Sequence, residues 1–111
     1  MNDHAETPPS AVIDRLFEVI EARRHADPST SHTAKLFAKG TRKISQKLGE
    51  EAVEAAIAGA TGDAAALTAE AADVLYHLLA LLAAAGVEPA EVAKVLAARE
   101  GTSGIAEKAS R

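Results

Sequence analysis

The sequence contains no cysteine and no tryptophan, and only two phenylalanines and one tyrosine occur among its 111 residues. Without cysteine there can be neither disulfides nor thiolate metal sites, which fits a reducing compartment. Apolar residues make up 48% of the chain, and most of them are alanine. Because alanine favours helices and is poor in strands, the composition predicts an all-α fold with closely packed helices.

The sequence also lacks a basic surplus and a long uninterrupted apolar run. Its formal net charge of −4 gives no general attraction for nucleic acid or anionic membranes, so an anionic ligand requires local basic residues or a metal. The opening MNDHAETPPS has neither the basic start nor the apolar centre of a signal peptide. The longest apolar run, 71–85, is interrupted by Asp73 and His77 and is short for a membrane span. We therefore expect a cytoplasmic protein without nucleic-acid or membrane partners.

Helical spacing of apolar residues and turn residues between the segments predict four to five helices. They run from about Ser10 to His25, Thr33 to Ala38, Arg42 to Ala58, Ala64 to Ala85, and onward from Val87. We expect Thr41 to cap the third helix, and Gly49 inside it to mark the close approach of another helix or a ligand. The predicted inward residues are Ile44, Leu48, Ala52, Ala55 and Ala56 in the third helix, and Val92, Val95 and Leu96 in the fifth.

These helices predict one domain over residues 10–99. It is flanked by a disordered tail at 1–9 and a basic tail containing glycine and serine at 100–111. A chain of this length builds a single modest core. We therefore expect a helical bundle that is completed by dimerisation.

Carboxylates are concentrated on two consecutive helices. The third helix carries Glu50, Glu51 and Glu54, and the fourth carries Glu70 and Asp73. Residues three or four apart share a helix face, so an antiparallel hairpin could bring an acidic pair from each helix together. Such a group requires a compensating cation, and oxygen ligands select Mg²⁺ or Mn²⁺.

The alternative is a solvated acidic face, partly neutralised because Lys47 precedes Glu51 by one turn. Asp73 argues against this alternative, since it lies in the apolar segment AADVLYHLLALLAA, where burial without a partner is costly. The two matched pairs therefore favour the metal site.

Basic residues precede the acids at four-residue intervals, at Lys35, Lys39, Lys43 and Lys47. The last two lie seven residues before Glu50 and Glu54, and so on nearly the same helix face. They could hold phosphates beside a metal, or form a solvated stripe that balances the acids.

His77 follows Asp73 by four residues and Glu70 by seven, so it shares their face. It could contact a substrate or hold Asp73 in place. The alternative is a core histidine packed beside Tyr76.

Three blocks, AKLFAKGTRKISQKLGEEAVEAAIA, EAADVLYHLLALLAAAGV and REGTSGIAEKASR, resemble the phosphoribosyl-ATP pyrophosphatase family of histidine biosynthesis. The first two are also similar to the wider all-α superfamily of nucleoside triphosphate pyrophosphohydrolases, which includes the MazG proteins. The resemblance covers about residues 29–111. His32 departs from it, because an aromatic residue is expected before the Thr-Ala-Lys stretch.

The resemblance implies Mg²⁺-dependent hydrolysis of phosphoribosyl-ATP to phosphoribosyl-AMP and pyrophosphate by a dimeric enzyme. It draws the metal ligands from Glu50, Glu51, Glu54, Glu70 and Asp73. One of the first three could also act as general base. The C-terminal residues Arg99, Ser103 and Lys108 could reach the phosphoribosyl or phosphate groups, or belong to a disordered tail. Phosphoribosyl-AMP cyclohydrolase is the expected functional neighbour.

Two other functions stay open at this point. A house-cleaning enzyme could hydrolyse ordinary or damaged nucleoside triphosphates with the same acids. A non-catalytic helical interaction module would need none of them to bind metal. A di-iron bundle is not favoured, because the Glu-x-x-His repeats it requires are absent from the sequence.

Overall fold

The structure, a computed structural model, describes residues 11–100 and contains five α-helices. They are α1 (Val12–Arg23), α2 (His32–Ala38), α3 (Thr41–Thr61), α4 (Ala64–Ala85) and α5 (Pro89–Arg99). No strand occurs within 11–100, so the all-α prediction is confirmed. The predicted tail at 1–9, and all of the predicted tail at 100–111 except Glu100, lie outside the described residues.

Local capping residues set where the helices begin and end. Ser31 and Asp63 are the N-caps of α2 and α4, and each side chain accepts a hydrogen bond from a backbone N–H three residues on. The N-cap of α3 is Gly40, so the prediction that Thr41 caps this helix is wrong. Gly40 has a φ of 92°, a conformation that threonine rarely adopts, and Thr41 is instead the first helical residue.

The hydrophobic core lies where α1 and α2 pack against the α3–α4 pair. Its buried members are Phe17, Ile20, Leu36, Ile44, Leu79, Ala80 and Ala83. Among the large side chains of residues 11–100, only Ile20 and Ile44 are fully buried. The core is therefore small and concentrated at one end of the α3–α4 hairpin.

A polar contact attaches α2 to α4 beside this core. The hydroxyl groups of Thr33 and Tyr76 are 2.7 Å apart, within hydrogen-bonding distance, and Thr33 is buried. His32 stacks on the ring of Tyr76, with centroids 6.2 Å apart and an interplanar angle of 30°. His32 thus makes the kind of ring contact expected of the aromatic residue that it replaces.

Apolar side chains on α5 are exposed, which contradicts the prediction that they face inward. Val95 and Leu96 are 50% and 59% exposed, and α5 contributes no buried residue. On α3, Ala52 and Ala56 are also exposed, and a Cβ added at Gly49 would meet no atom within 4 Å. Sequence periodicity identified apolar stripes correctly, but the single chain does not cover them.

Helix α4 is long and apolar enough to cross a membrane by length and composition, which the sequence-based prediction had excluded. The helix is longer than the run used for that prediction, because it begins at Ala64. Only 17% of its most apolar window is buried within the chain. Core helices of soluble proteins meet the same criteria of length and composition. Helix α4 also carries two of the predicted acidic ligands, Glu70 and Asp73.

Candidate functional site

The α3–α4 hairpin brings carboxylates from both helices together. Glu51 on α3 and Glu70 and Asp73 on α4 each offer one oxygen, and these three oxygens all lie within 4.8 Å of one another. Three of the five predicted acidic ligands therefore meet in one group. The helical i,i+3 spacing explains the two residues from α4, and the hairpin explains the third.

Glu70 is the least satisfied member of this group. Its Oε2 is shielded from solvent and has no hydrogen-bond partner among the described residues. Contact with the carboxyl groups of Glu51 and Glu54 raises the pKa of Glu70 to about 7. The reason is that two carboxyl groups can be hydrogen-bonded to each other only when one of them carries a proton. Desolvation and the charges of the same two neighbours act in the same direction. Proton binding and cation binding therefore compete at this group close to neutral pH.

The composition of the group fits a hard divalent cation. All candidate donors are carboxylate oxygens, and no histidine or cysteine joins them in the described part of the chain. An unpartnered, shielded oxygen that faces other carboxylates is the feature that a cation would satisfy. Glu54 also contributes to the raised pKa of Glu70 and so lies beside the group, although its oxygens are not among the three that meet.

Two of the predicted acidic residues have surroundings that the sequence did not indicate. Glu50 is exposed and accepts a hydrogen bond from Gln46 Nε2 at 2.9 Å, and it does not join the three-oxygen group. Asp73 is exposed rather than buried, so the argument from costly burial was wrong for this residue. The argument applies instead to Glu70, because its Oε2 is shielded from solvent and has no hydrogen-bond partner among the described residues, so its charged form is costly.

The predicted lysines do not neutralise the acids directly. Within residues 11–100 no ion pair joins Lys47 to Glu51, so the proposed i,i+4 pairing is not formed. Lys43 and Lys47 are half-buried on α3, whereas Lys35 and Lys39 on α2 are exposed. Among residues 11–100, no protein cation is ion-paired with the carboxylate group.

His77 is buried and packs as a core residue. Its Nδ1–H is positioned to donate to the main-chain oxygen of Asp73 at 2.9 Å, and its ring meets the Tyr76 ring edge-on with centroids 5.2 Å apart. This favours the packed-histidine interpretation over direct contact with the Asp73 carboxylate. Its role in substrate binding stays a prediction.

Of the predicted C-terminal contacts, Arg99 is the last residue of α5, while Ser103 and Lys108 lie outside the described residues. Sequence reasoning missed a second feature at the opposite end of the hairpin, a cavity beside Arg24 and His25. The sequence Ala26-Asp27-Pro28 after these residues predicted only the end of a helix. No residue spacing signals a cavity that four segments form together.

The fold and the site together define a class. An all-α hairpin that brings carboxylates of both helices together, with one oxygen unpartnered, is the arrangement that the resemblance to the helical pyrophosphohydrolases implies.

Comparison with known proteins narrows this class to a family. The family model described as phosphoribosyl-ATP pyrophosphohydrolase matches residues 13–100. The chain is 61% identical over 102 residues to the phosphoribosyl-ATP pyrophosphatase of Azospirillum brasilense, covering 92% of both chains. It is 64% identical over 100 residues to the protein of the same name from Cereibacter sphaeroides, covering 90% of this chain and 97% of that one.

The chain belongs to the phosphoribosyl-ATP pyrophosphohydrolase family. It is therefore a hydrolase, and the resemblance predicted from the sequence blocks is confirmed.

Proposed function

We propose that this chain hydrolyses phosphoribosyl-ATP to phosphoribosyl-AMP and pyrophosphate, the second step of histidine biosynthesis, in a Mg²⁺-dependent reaction. The observation that carries the proposal is the group of Glu51, Glu70 and Asp73 oxygens with its shielded, unpartnered member. The family match over residues 13–100 supports the choice of substrate.

In this proposal Glu51, Glu70 and Asp73 hold the cation, and Glu54 stands beside them. Bound Mg²⁺ would supply charge neutralisation for the triphosphate. The chain's own residues do the remaining work. A glutamate of α3 takes the proton of the attacking water, and Glu50, which is exposed and adjacent in sequence to Glu51, is available for this role as well as Glu54. Lys43 and Lys47 neutralise the leaving pyrophosphate.

The substrate assignment is tested by measuring pyrophosphate release from phosphoribosyl-ATP and from a panel of nucleoside triphosphates, with Mg²⁺ and with EDTA. We expect the highest kcat/KM for phosphoribosyl-ATP and loss of release in EDTA. A higher kcat/KM for the panel would support the house-cleaning function and overturn the assignment to histidine biosynthesis. Absence of turnover on every substrate would instead support the interaction module.

We further propose that two copies of the chain form a dimer through the uncovered apolar faces. Val53 and Ile57 on α3 are 60% and 57% exposed one helical turn apart, and Leu67 and Leu75 add exposed apolar area on α4. A second copy would bury these side chains, which a small monomeric core leaves in water. Helix α5 offers a similar stripe, and an 11-residue helix without packing is marginal in water.

The dimer predicts a solution mass of twice the 11.4 kDa chain mass by analytical ultracentrifugation. Ile57→Asp is expected to halve it, because a charge cannot be buried at an apolar interface without a partner. Val19→Asp on α1 is the matched control, since Val19 is exposed elsewhere on the surface. A monomeric wild-type chain, or an Ile57→Asp variant that remains dimeric, would contradict the proposed interface.

Two assignments follow from the proposed reaction. Phosphoribosyl-AMP cyclohydrolase, which acts on the product, is the proposed functional neighbour. The cytoplasm is the proposed location, since the substrate and the product are charged nucleotides.

A further inference from the structure

A cavity of about 320 Å³ lies at the end of the hairpin opposite the carboxylates. It is formed by the loop that follows α1, by α2, by the start of α3 and by the end of α4. Apolar side chains, among them Phe37, Ile44 and Ala84, form much of its wall, and Arg24 and His25 bring basic groups to it. This combination suits a sugar carrying an anionic group.

The position of the cavity relative to the acids follows from helix geometry. Ala84 lies 11 residues after Asp73 on α4, which is about three turns, so both residues fall on the same helix face about 16 Å apart. On α3, Lys43 and Lys47 lie between Gly40 at the cavity and Glu54 at the acidic group. A row of positive charge therefore runs along α3 from one site to the other.

Arg24 is held in a position suited to an anion. Its guanidinium carbon lies 5.6 Å from the centroid of the Phe37 ring, which forms part of the cavity wall. The distance from its Nη1 to Glu21 Oε1 is 3.6 Å, which is too long for a hydrogen bond. Arg24 therefore forms a partly exposed ion pair with Glu21 that lacks a short hydrogen bond, and a phosphate would compete with that carboxylate for a bidentate contact with the guanidinium.

We propose that this cavity binds the phosphoribosyl group of the substrate, with Arg24 on its 5′-phosphate. The inference rests on the proposed function. Phosphoribosyl-ATP carries phosphate at two opposite ends, and the triphosphate end belongs with the carboxylates and their cation. The other phosphate then requires a separate basic site at a distance, which the Arg24 cavity provides. The apolar wall packs against the ribose, and His25 is the second basic group within reach of the phosphate.

The test compares Arg24→Gln with Arg23→Gln, a matched loss of charge at the neighbouring position outside the cavity. Calorimetry measures the binding of phosphoribosyl-AMP and of AMP, which differ by the phosphoribosyl group alone and undergo no pyrophosphate release. We expect Arg24→Gln to weaken phosphoribosyl-AMP binding about tenfold or more and to leave AMP binding unchanged. In turnover assays KM for phosphoribosyl-ATP should rise by a similar factor, with kcat within about twofold.

Ala38→Leu provides a second variant that keeps both basic groups and narrows the cavity, since Ala38 is an exposed lining residue at the end of α2. It should weaken phosphoribosyl-AMP binding and spare AMP. Equal affinities of the Arg24 and Arg23 variants for phosphoribosyl-AMP would overturn the inference. If the wild-type chain cleaves phosphoribosyl-ATP in that case, the proposed function stands and only the location of this subsite fails.

Discussion

Replacing Glu51 with glutamine is expected to lower Mg²⁺-dependent pyrophosphate release from phosphoribosyl-ATP by about a hundredfold or more. Glu51 is the α3 residue whose oxygen meets those of Glu70 and Asp73 across the hairpin. The amide preserves the size of the side chain but removes the negative charge, so the cation loses the ligand that links the two helices. The remaining α4 pair, three residues apart on one helix, would then hold the cation from one side only.

The measurement is the initial rate of pyrophosphate release across a range of Mg²⁺ concentrations. The Glu51 variant should need more Mg²⁺ for half-maximal rate, and Asp73→Asn should behave in the same way. Glu18→Gln on the exposed surface of α1 is the matched control and should retain wild-type rates. Full activity in both the Glu51 and the Asp73 variants would rule out the carboxylate group as the cation site.

Glu50→Gln tests whether Glu50 on α3 acts as the general base or as a ligand of the cation. Glu50 is exposed, accepts a hydrogen bond from Gln46 and lies outside the three-oxygen group. A lower kcat at an unchanged Mg²⁺ requirement would identify Glu50 as a base, whereas a raised Mg²⁺ requirement would identify it as a ligand.

How far the sequence predicts the molecule depends on the range of the interactions involved. Helix positions and the facing acids follow from local rules, because capping and i,i+3 spacing act within one or two turns. The end of α4 at Ala85, for example, was predicted at the residue where the structure places it. The bounds of α3 were less well predicted, since Gly40 rather than Thr41 is its cap.

Burial could not be predicted in the same way, because it depends on what packs against each face. Val95 and Leu96 form an apolar stripe by spacing, yet nothing in the single chain covers them. Asp73 is exposed in an apolar sequence, and the cost of burial falls on Glu70 in the same helix. The Arg24 cavity is formed by segments of three helices and a loop, and periodicity within one helix carries no information on it.

The metal-free protein is expected to become less stable as pH rises from 5 to 8, because of Glu70. The pKa of Glu70 is raised from 4.5 to about 7 in the folded chain, chiefly by its contact with the carboxyl group of Glu51. Between these values the folded chain holds a proton that the unfolded chain has lost, so unfolding releases a proton and each increase in pH favours it. Above pH 7 Glu70 has lost its proton, and its repulsion with Glu51 and Glu54 is fully present unless a cation binds.

Glu70→Gln should therefore raise the Tm of the metal-free protein at pH 8 by a few degrees while abolishing activity. The amide removes one charge and supplies an N–H donor to the neighbouring carboxylates, so the gain should shrink towards pH 5, where wild-type Glu70 is itself protonated. Mg²⁺ should raise the Tm of the wild-type chain at pH 8 through binding to the folded state, and this rise should be lost in the variant.

Thermal unfolding of both chains at pH 5 and pH 8, with Mg²⁺ or EDTA and at one fixed chain concentration, measures these shifts. Glu18→Gln again controls for the loss of one surface charge. A Glu70→Gln variant less stable than wild type at pH 8 in EDTA would show that the charge of Glu70 is satisfied without metal. The expected result, higher stability together with lost activity, would show that at pH 8 the carboxylate group is kept in a repulsive state that a cation relieves. The stability lost to this repulsion is the cost of keeping a site that binds a cation, a trade-off between stability and activity that is common in enzymes.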